Sequence, residues 1–299
     1  GTSVVKVRFI ARISSGLASL CLRSRSFEQT EEAPLGNALS VQVQTQKEQA
    51  RSKPGMEDKK IVITGGATGM ARASALLCAR HGAKVVIADI NVAEGENAVS
   101  DIRAAGGSAW FHETDVSNEE DVRSLMEKAE KAMEGITSLV TAAAIARDSL
   151  VPVDEFLTST WQQHIDINLT GSFLAAKYAV PALKKAGGGV IVMIASGAGV
   201  RGGSSIVAYG ASKGGVNGLG MTLEQSLAGD NIRVNVLCPG NIATPLKLGI
   251  ISQQVERVGD EANESSQIAG LGTPDGMAKV ITFLLSDDAE YIRGAIFTR

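Results

Sequence analysis

Past residue 58 the chain settles into a repeating pattern: short, nearly uninterrupted apolar runs alternate with longer segments whose apolar positions recur at helical spacing. The runs at 61–64, 84–88, 108–113, 139–142, 190–195, 233–237 and 295–297 are predicted strands. Between them, helices are predicted over 70–80, 93–104, 160–185, 206–228 and 275–285. A further helix opens at Ser117-Asn-Glu-Glu120, which has capping-box spacing, and ends near Gly135. Strands that are apolar on both faces and alternate with helices predict an α/β fold, a doubly wound parallel sheet of about seven strands with helices on both faces. The stretch 243–272 is less regular and follows a strand end, so it is expected to form a lobe over a substrate.

Residues 1–58 differ in character. Arg8, Arg12, Arg23 and Arg25 stand among serines with no acidic residue before Glu28, and a Gln/Glu-rich stretch follows to Lys53. This composition predicts an N-terminal extension, disordered or targeting, ahead of a single domain over 59–299. The expected location is cytoplasmic, or mitochondrial if the Arg/Ser-rich start is a presequence. A net charge of −3 gives no global reason to expect nucleic acid. No apolar run reaches the roughly 18 residues that a membrane-spanning helix requires. Cys21, Cys78 and Cys238, and likewise His81, His112 and His164, are too scattered for a zinc site or a disulfide framework. No metal is expected.

Two stretches carry chemistry. The first strand runs into Thr64-Gly65-Gly66-Ala67-Thr68-Gly69-Met70-Ala71 and then a helix. Glycines there allow a tight turn and close approach to a pyrophosphate, whose charge meets free amides and the positive end of the helix. Asp89, at the end of the second strand, is placed to accept hydrogen bonds from an adenosine ribose and to repel a 2′-phosphate. Neither Thr68, Ile90 nor Asn91 offers that phosphate a positive charge, so NAD is favoured over NADP.

The second stretch holds Ser196, Tyr209 and Lys213. Tyr209 and Lys213 lie four apart, one turn along one helix face. The ammonium is expected to pull the phenol down from its usual value of about 10, making an acid/base pair. Ser196, at a strand end, could hydrogen-bond the oxygen whose proton Tyr209 handles.

From about Lys59 to Phe297 the chain resembles a short-chain dehydrogenase/reductase, with a Rossmann-type fold. The resemblance rests on the Gly-rich turn, Asp89, Asp115 after the third strand, Asn168 in Asn-Leu-Thr-Gly, Ser196, the Tyr209/Lys213 pair, and Pro239-Gly240 with Thr244. It implies hydride transfer between NAD(H) and a secondary alcohol or ketone. Tyr209 is the implied general acid/base, Ser196 positions the substrate oxygen, and Lys213 lowers the tyrosine pKa and holds the nicotinamide ribose. Asn168 binds a water linking the lysine to solvent. Gly65, Thr68, Gly69 and Met70 surround the pyrophosphate, Asp115 and Val116 the adenine, and Ala143, Pro239, Gly240, Ile242 and Thr244 the nicotinamide end. A homo-oligomer, dimer or tetramer, is also implied.

Three departures qualify this. Ala71 replaces the last glycine of the turn, Thr141-Ala142-Ala143-Ala144 stands where relatives carry Asn-Asn-Ala-Gly, and the sequence stops at Arg299, short of a common Asp-Gly-Gly segment. The first two predict weakened cofactor binding, with Thr141 restoring part of the lost bracing. The alternatives are an NADPH-dependent 3-oxoacyl thioester reductase and an NAD(H)-binding sensor or assembly subunit with impaired turnover.

Overall fold

A computed structural model of the chain describes residues 55–259 and 261–298. The predicted N-terminal extension lies outside the described residues, apart from its last few positions. Seven parallel strands form one sheet: β1 (Lys60–Thr64), β2 (Lys84–Asp89), β3 (Ser108–Glu113), β4 (Ser138–Thr141), β5 (Gly189–Ile194), β6 (Ile232–Cys238) and β7 (Gly294–Phe297). Their order is β3-β2-β1-β4-β5-β6-β7, so the direction of winding reverses between β1 and β4. In open sheets of this kind ligands bind in the crevice outside the carboxyl ends of the strands at such a switch point.

The helices are α1 (Gly69–Arg80), α2 (Val92–Ala104), α3 (Glu119–Met133), α4 (Thr158–His164), α5 (Gly171–Lys185), the one-turn α6 (Gly197–Val200), α7 (Val207–Leu227), α8 (Pro245–Val258), α9 (Glu261–Ala269) and α10 (Pro274–Leu285). Successive strand side chains point to opposite faces, and the two layers of core follow that alternation. Ile61, Ile63, Val85 and Ile87 pack under α1, α2 and α10 through Ala75, Ile102 and Ile281. Val62, Val86, Leu139 and Ile191 pack against α3, α5 and α7 through Leu125, Ala175 and Val216. Cys78 is buried in the first layer, its thiol 3.4 Å from the Thr282 hydroxyl and pushed up to about 11 by burial, which makes it an inert packing residue. Cys78 and Cys238 are both free thiols.

Two local expectations are corrected. The helix predicted over 160–185 is interrupted: α4 runs into a π-helical turn, Ile165–Thr170, before α5 begins. The interruption seats Asn168 inside the protein, and Ser172 Oγ donates to the Asn168 carbonyl at 2.7 Å, satisfying one acceptor of the loosened turn. Helix α3 is capped by Asn118 rather than Ser117; the Asn118 side chain accepts from the amides of Glu120 and Asp121. Ser117 turns to Asp115, donating both its amide and hydroxyl to one carboxylate oxygen at 2.9 and 2.7 Å. With its hydroxyl turned to Asp115, Ser117 leaves the first amides of α3 to the Asn118 side chain.

Candidate active site

The cleft at the switch point has a volume of about 410 Å³. Its first wall is the turn between β1 and α1. Gly65 sits at φ +67°, and a Cβ there would lie 2.6 Å from the Ala143 backbone, so the turn can pass β4 only as glycine. Thr68, the N-cap of α1, makes no side-chain capping bond, and the first turn holds no acidic residue. The early amides of α1 are therefore free for an anion. Ala71 is buried at 3 % exposure within the α1 layer of the core, so its methyl is absorbed by packing.

Carboxylates also line the cleft. Asp89 accepts from the Ala67 amide at 3.1 Å through one oxygen and from the Asn91 amide at 3.0 Å through the other, which fixes it beside the Gly-rich turn. Asp115 is fixed by Ser117. Both line the cleft with Val116 and Thr114.

The opposite end carries the acid/base candidates. Ser196 ends the strand as the N-cap of α6, and its oxygen accepts from the Ala198 amide at 3.2 Å. That contact leaves the hydroxyl proton to be donated into the cleft. Tyr209 and Lys213 both line the cleft from α7. Gly199 lets α6 lie on α7, because a Cβ there would come within 2.7 Å of Lys213.

Lys213 is 2 % exposed, and its ammonium donates to the Ile194 carbonyl at 2.7 Å. Burial brings it down to about 8, with Cys238 opposing weakly. The nitrogen stands 6.0 Å from the Tyr209 ring centroid. Burial raises the Tyr209 phenol above its ordinary value, and the Ser196 hydroxyl pulls it back part of the way. The expected lowering by Lys213 is thus reversed: desolvation outweighs a lysine that is turned toward Ile194.

Asn168 does not line the cleft. It is fully buried, accepting from the Ile145 amide at 2.8 Å and donating to the Ile145 carbonyl at 3.1 Å and to Ser212 Oγ at 3.0 Å. It pins the loop after β4 to α7, one residue from Lys213. Thr141, expected to replace part of the missing amide bracing, has a buried hydroxyl without a partner among the described residues and braces nothing. The bracing comes from Thr64, whose carbonyl and hydroxyl both accept from the Ala142 amide at 3.1 and 3.3 Å.

Gly65, Thr68, Gly69, Met70, Asp89, Asp115, Val116, Ala143, Ser196, Tyr209, Lys213, Pro239, Gly240, Ile242 and Thr244 all line this one cleft. Thr244 caps α8, accepting from the Lys247 amide at 3.3 Å, and lies against the Gly69 turn. Sequence reasoning missed a polar latch at the far end. Gln254 donates to Ser205 and Ser149 at 3.0 and 3.3 Å, the two serines bond each other at 2.9 Å, and Gln253 accepts from the Ser149 amide at 3.2 Å. No local pattern announces a contact between residues so far apart in the chain. His164, too isolated in the sequence to be read as a zinc ligand, bonds Thr160 and Arg147 through its two nitrogens.

A nicotinamide dinucleotide fits this donor set: uncapped helix amides for the pyrophosphate, a fixed carboxylate for a ribose, and a lysine with ammonium protons to spare. No helix among the described residues is long and apolar enough to cross a membrane, and those residues hold no cluster suited to a metal ion.

Comparison with known proteins agrees with the geometry. Residues 59–254 match the model of the short chain dehydrogenase family. Cyclohexanol dehydrogenase of Acinetobacter sp. (strain SE19) is 35% identical over 80% of this chain and 92% of its own length. The 3-oxoacyl-acyl-carrier-protein reductase of Thermotoga maritima is 32% identical over 81% of this chain and 96% of its own. The crystal structure of levodione reductase superposes with a TM-score of 0.76 at 27% identity, covering 80% of this chain and 95% of that one. With a family match over most of the folded region and relatives aligned nearly end to end, the chain belongs to the short chain dehydrogenase family.

Proposed function

We propose that this oxidoreductase is an NAD-preferring dehydrogenase acting on secondary alcohols, with compact alicyclic alcohols as the substrate class. The observation that carries the reading is the convergence of Ser196, Tyr209 and Lys213 at one end of a cleft whose other end holds Asp89. The similarity to cyclohexanol dehydrogenase supports the substrate class. When bound, the nicotinamide supplies the hydride acceptor. The chain's residues do the rest. Ser196 donates to the carbinol oxygen and orients it, and Tyr209 takes the hydroxyl proton as its phenolate, a form that burial opposes and that the positive charge of an oxidised nicotinamide would favour. Lys213 holds a ribose with the ammonium protons that Ile194 does not use, while Asn168 keeps the loop carrying Ile145 against α7.

Asp89 supports NAD over NADP, since a 2′-phosphate would lie against a carboxylate already bound by two amides. Titrating NADH and NADPH into wild type and Asp89→Asn tests this. Wild type should prefer NADH, and the variant should narrow the gap; a wild-type preference for NADPH would favour the 3-oxoacyl reductase reading, which the reductase relative supports. Residues 59–299 are proposed as the catalytic domain, preceded by an extension. Exposed Leu157, Trp161 and Phe173 support a homo-oligomer, testable by light scattering.

A further inference from the structure

The lining of the cleft is electrically uneven. Its carboxylates are Asp89 and Asp115; its ammonium groups are Lys213, beside Tyr209 on α7, and Lys247, in the first turn of α8. Lys213 has its place, bonded to Ile194 beside Tyr209. Lys247 has none: its amide is taken by Thr244, while its ammonium makes no hydrogen bond or ion pair among the described residues. The side chain is half-buried, and burial lowers its pKa with no opposing charge to offset the loss of water.

Its position on α8 locates this charge. Lys247, Ile250 and Gln254 recur at spacings that put them on one helix face. Gln254 reaches Ser205, a lining residue next to Ile206, and Thr244 touches the Gly69 turn. The Lys247 stripe therefore runs from the cofactor turn along the substrate end. The lining there includes the apolar Ile145, Ile206, Leu246 and Ile250 alongside Ser204 and Ser205. A largely apolar lining with one ammonium that no carboxylate or carbonyl among the described residues compensates selects a ligand with an apolar body and one anionic group.

We propose that the substrate carries a carboxylate, as in an alicyclic or branched hydroxy acid or its keto acid, and that Lys247 binds that carboxylate while the carbinol carbon faces Ser196 and Tyr209. The proposal deepens, and rests on, the dehydrogenase reading above. The cofactor pyrophosphate is the other anion nearby, but the uncapped amides of α1 already serve it.

The test is a calorimetric titration of cyclohexanecarboxylate, which has no carbinol to oxidise, into the full chain saturated with NADH. Wild type, Lys247→Met and Lys247→Arg are compared, with cyclohexanone as the uncharged control. The expected result is carboxylate binding to wild type, weakened about tenfold or more by Lys247→Met and restored to within about threefold by Lys247→Arg. Cyclohexanone should change less than about threefold across the series, and NADH affinity should not change. Absence of carboxylate binding to wild type, or binding indifferent to Lys247→Met, overturns the proposal. So does a loss of NADH affinity in Lys247→Met, which would assign the ammonium to the cofactor phosphates. None of these readouts needs turnover, so a chain that oxidises no alcohol would defeat the dehydrogenase reading and leave the anion site to be decided by the titration.

Discussion

Lys213 places an ammonium where, among the described residues, one acceptor, the Ile194 carbonyl, meets it, and its folded pKa of about 8 lies below the ordinary 10.5. Between those values the unfolded chain keeps a proton that the folded chain has released, so stability from this group rises with pH. Below about 8 both states are protonated and the cost of burying the charge is felt in full. Lys213→Met should therefore abolish turnover yet match or exceed wild type in melting temperature at pH 7. Its advantage should shrink as the pH is raised toward 10, and an advantage that grows with pH would contradict this. Thr141 is a second residue with a hidden cost, a buried hydroxyl without a partner among the described residues. Thr141→Val keeps the shape and removes the stranded group, so chemical denaturation should show stability unchanged or raised by up to about 1 kcal/mol. A loss above that size would mean the hydroxyl has a partner.

Among the elements, the π turn at Ile165–Thr170 ties α5, α7 and the loop after β4 together through one residue, Asn168, whose carbonyl meets α5 and whose side chain meets the other two. Asn168→Ala removes three hydrogen bonds of a buried side chain and should cost about 2–4 kcal/mol in denaturant unfolding, with lower turnover. The latch on α8 is different, because the Ser149–Ser205 bond survives without Gln254. Gln254→Leu should leave the melting temperature within a few degrees of wild type. It should raise the kcat/KM of a long-chain secondary alcohol relative to cyclohexanol by about threefold or more as the far wall loosens. An unchanged ratio would show that the latch does not limit substrate size. The run of apolar positions from 160 to 185 reads as one helix because a single extra residue in a turn leaves almost no mark on a helical pattern. The Gln254 contacts were equally hidden, since only the folded chain brings 254 beside 149 and 205.

For the molecule as a whole, the seven strands and their order of appearance were legible because the five inner ones are buried on both faces and write nearly continuous apolar runs, while the edge strands β3 and β7 keep shorter apolar cores, 109–111 and 295–297. That the Gly-rich turn, Asp89, Ser196, Tyr209 and Lys213 would meet in one cleft was legible because their spacing places them at strand ends and on one helix turn. The acid/base balance was not. Whether Lys213 lowers the Tyr209 phenol depends on where its nitrogen points and how deeply both groups are buried, quantities set by α6, β5 and β6 together. The central claim remains that these residues oxidise a secondary alcohol through Tyr209. Its most direct test is steady-state oxidation of cyclohexanol with NAD by wild type and Tyr209→Phe, alongside NADH titration of both. The account predicts measurable wild-type turnover, a fall of about 10² or more in kcat for the variant, and equal NADH affinity in the two. A Tyr209→Phe protein that keeps full activity would contradict it.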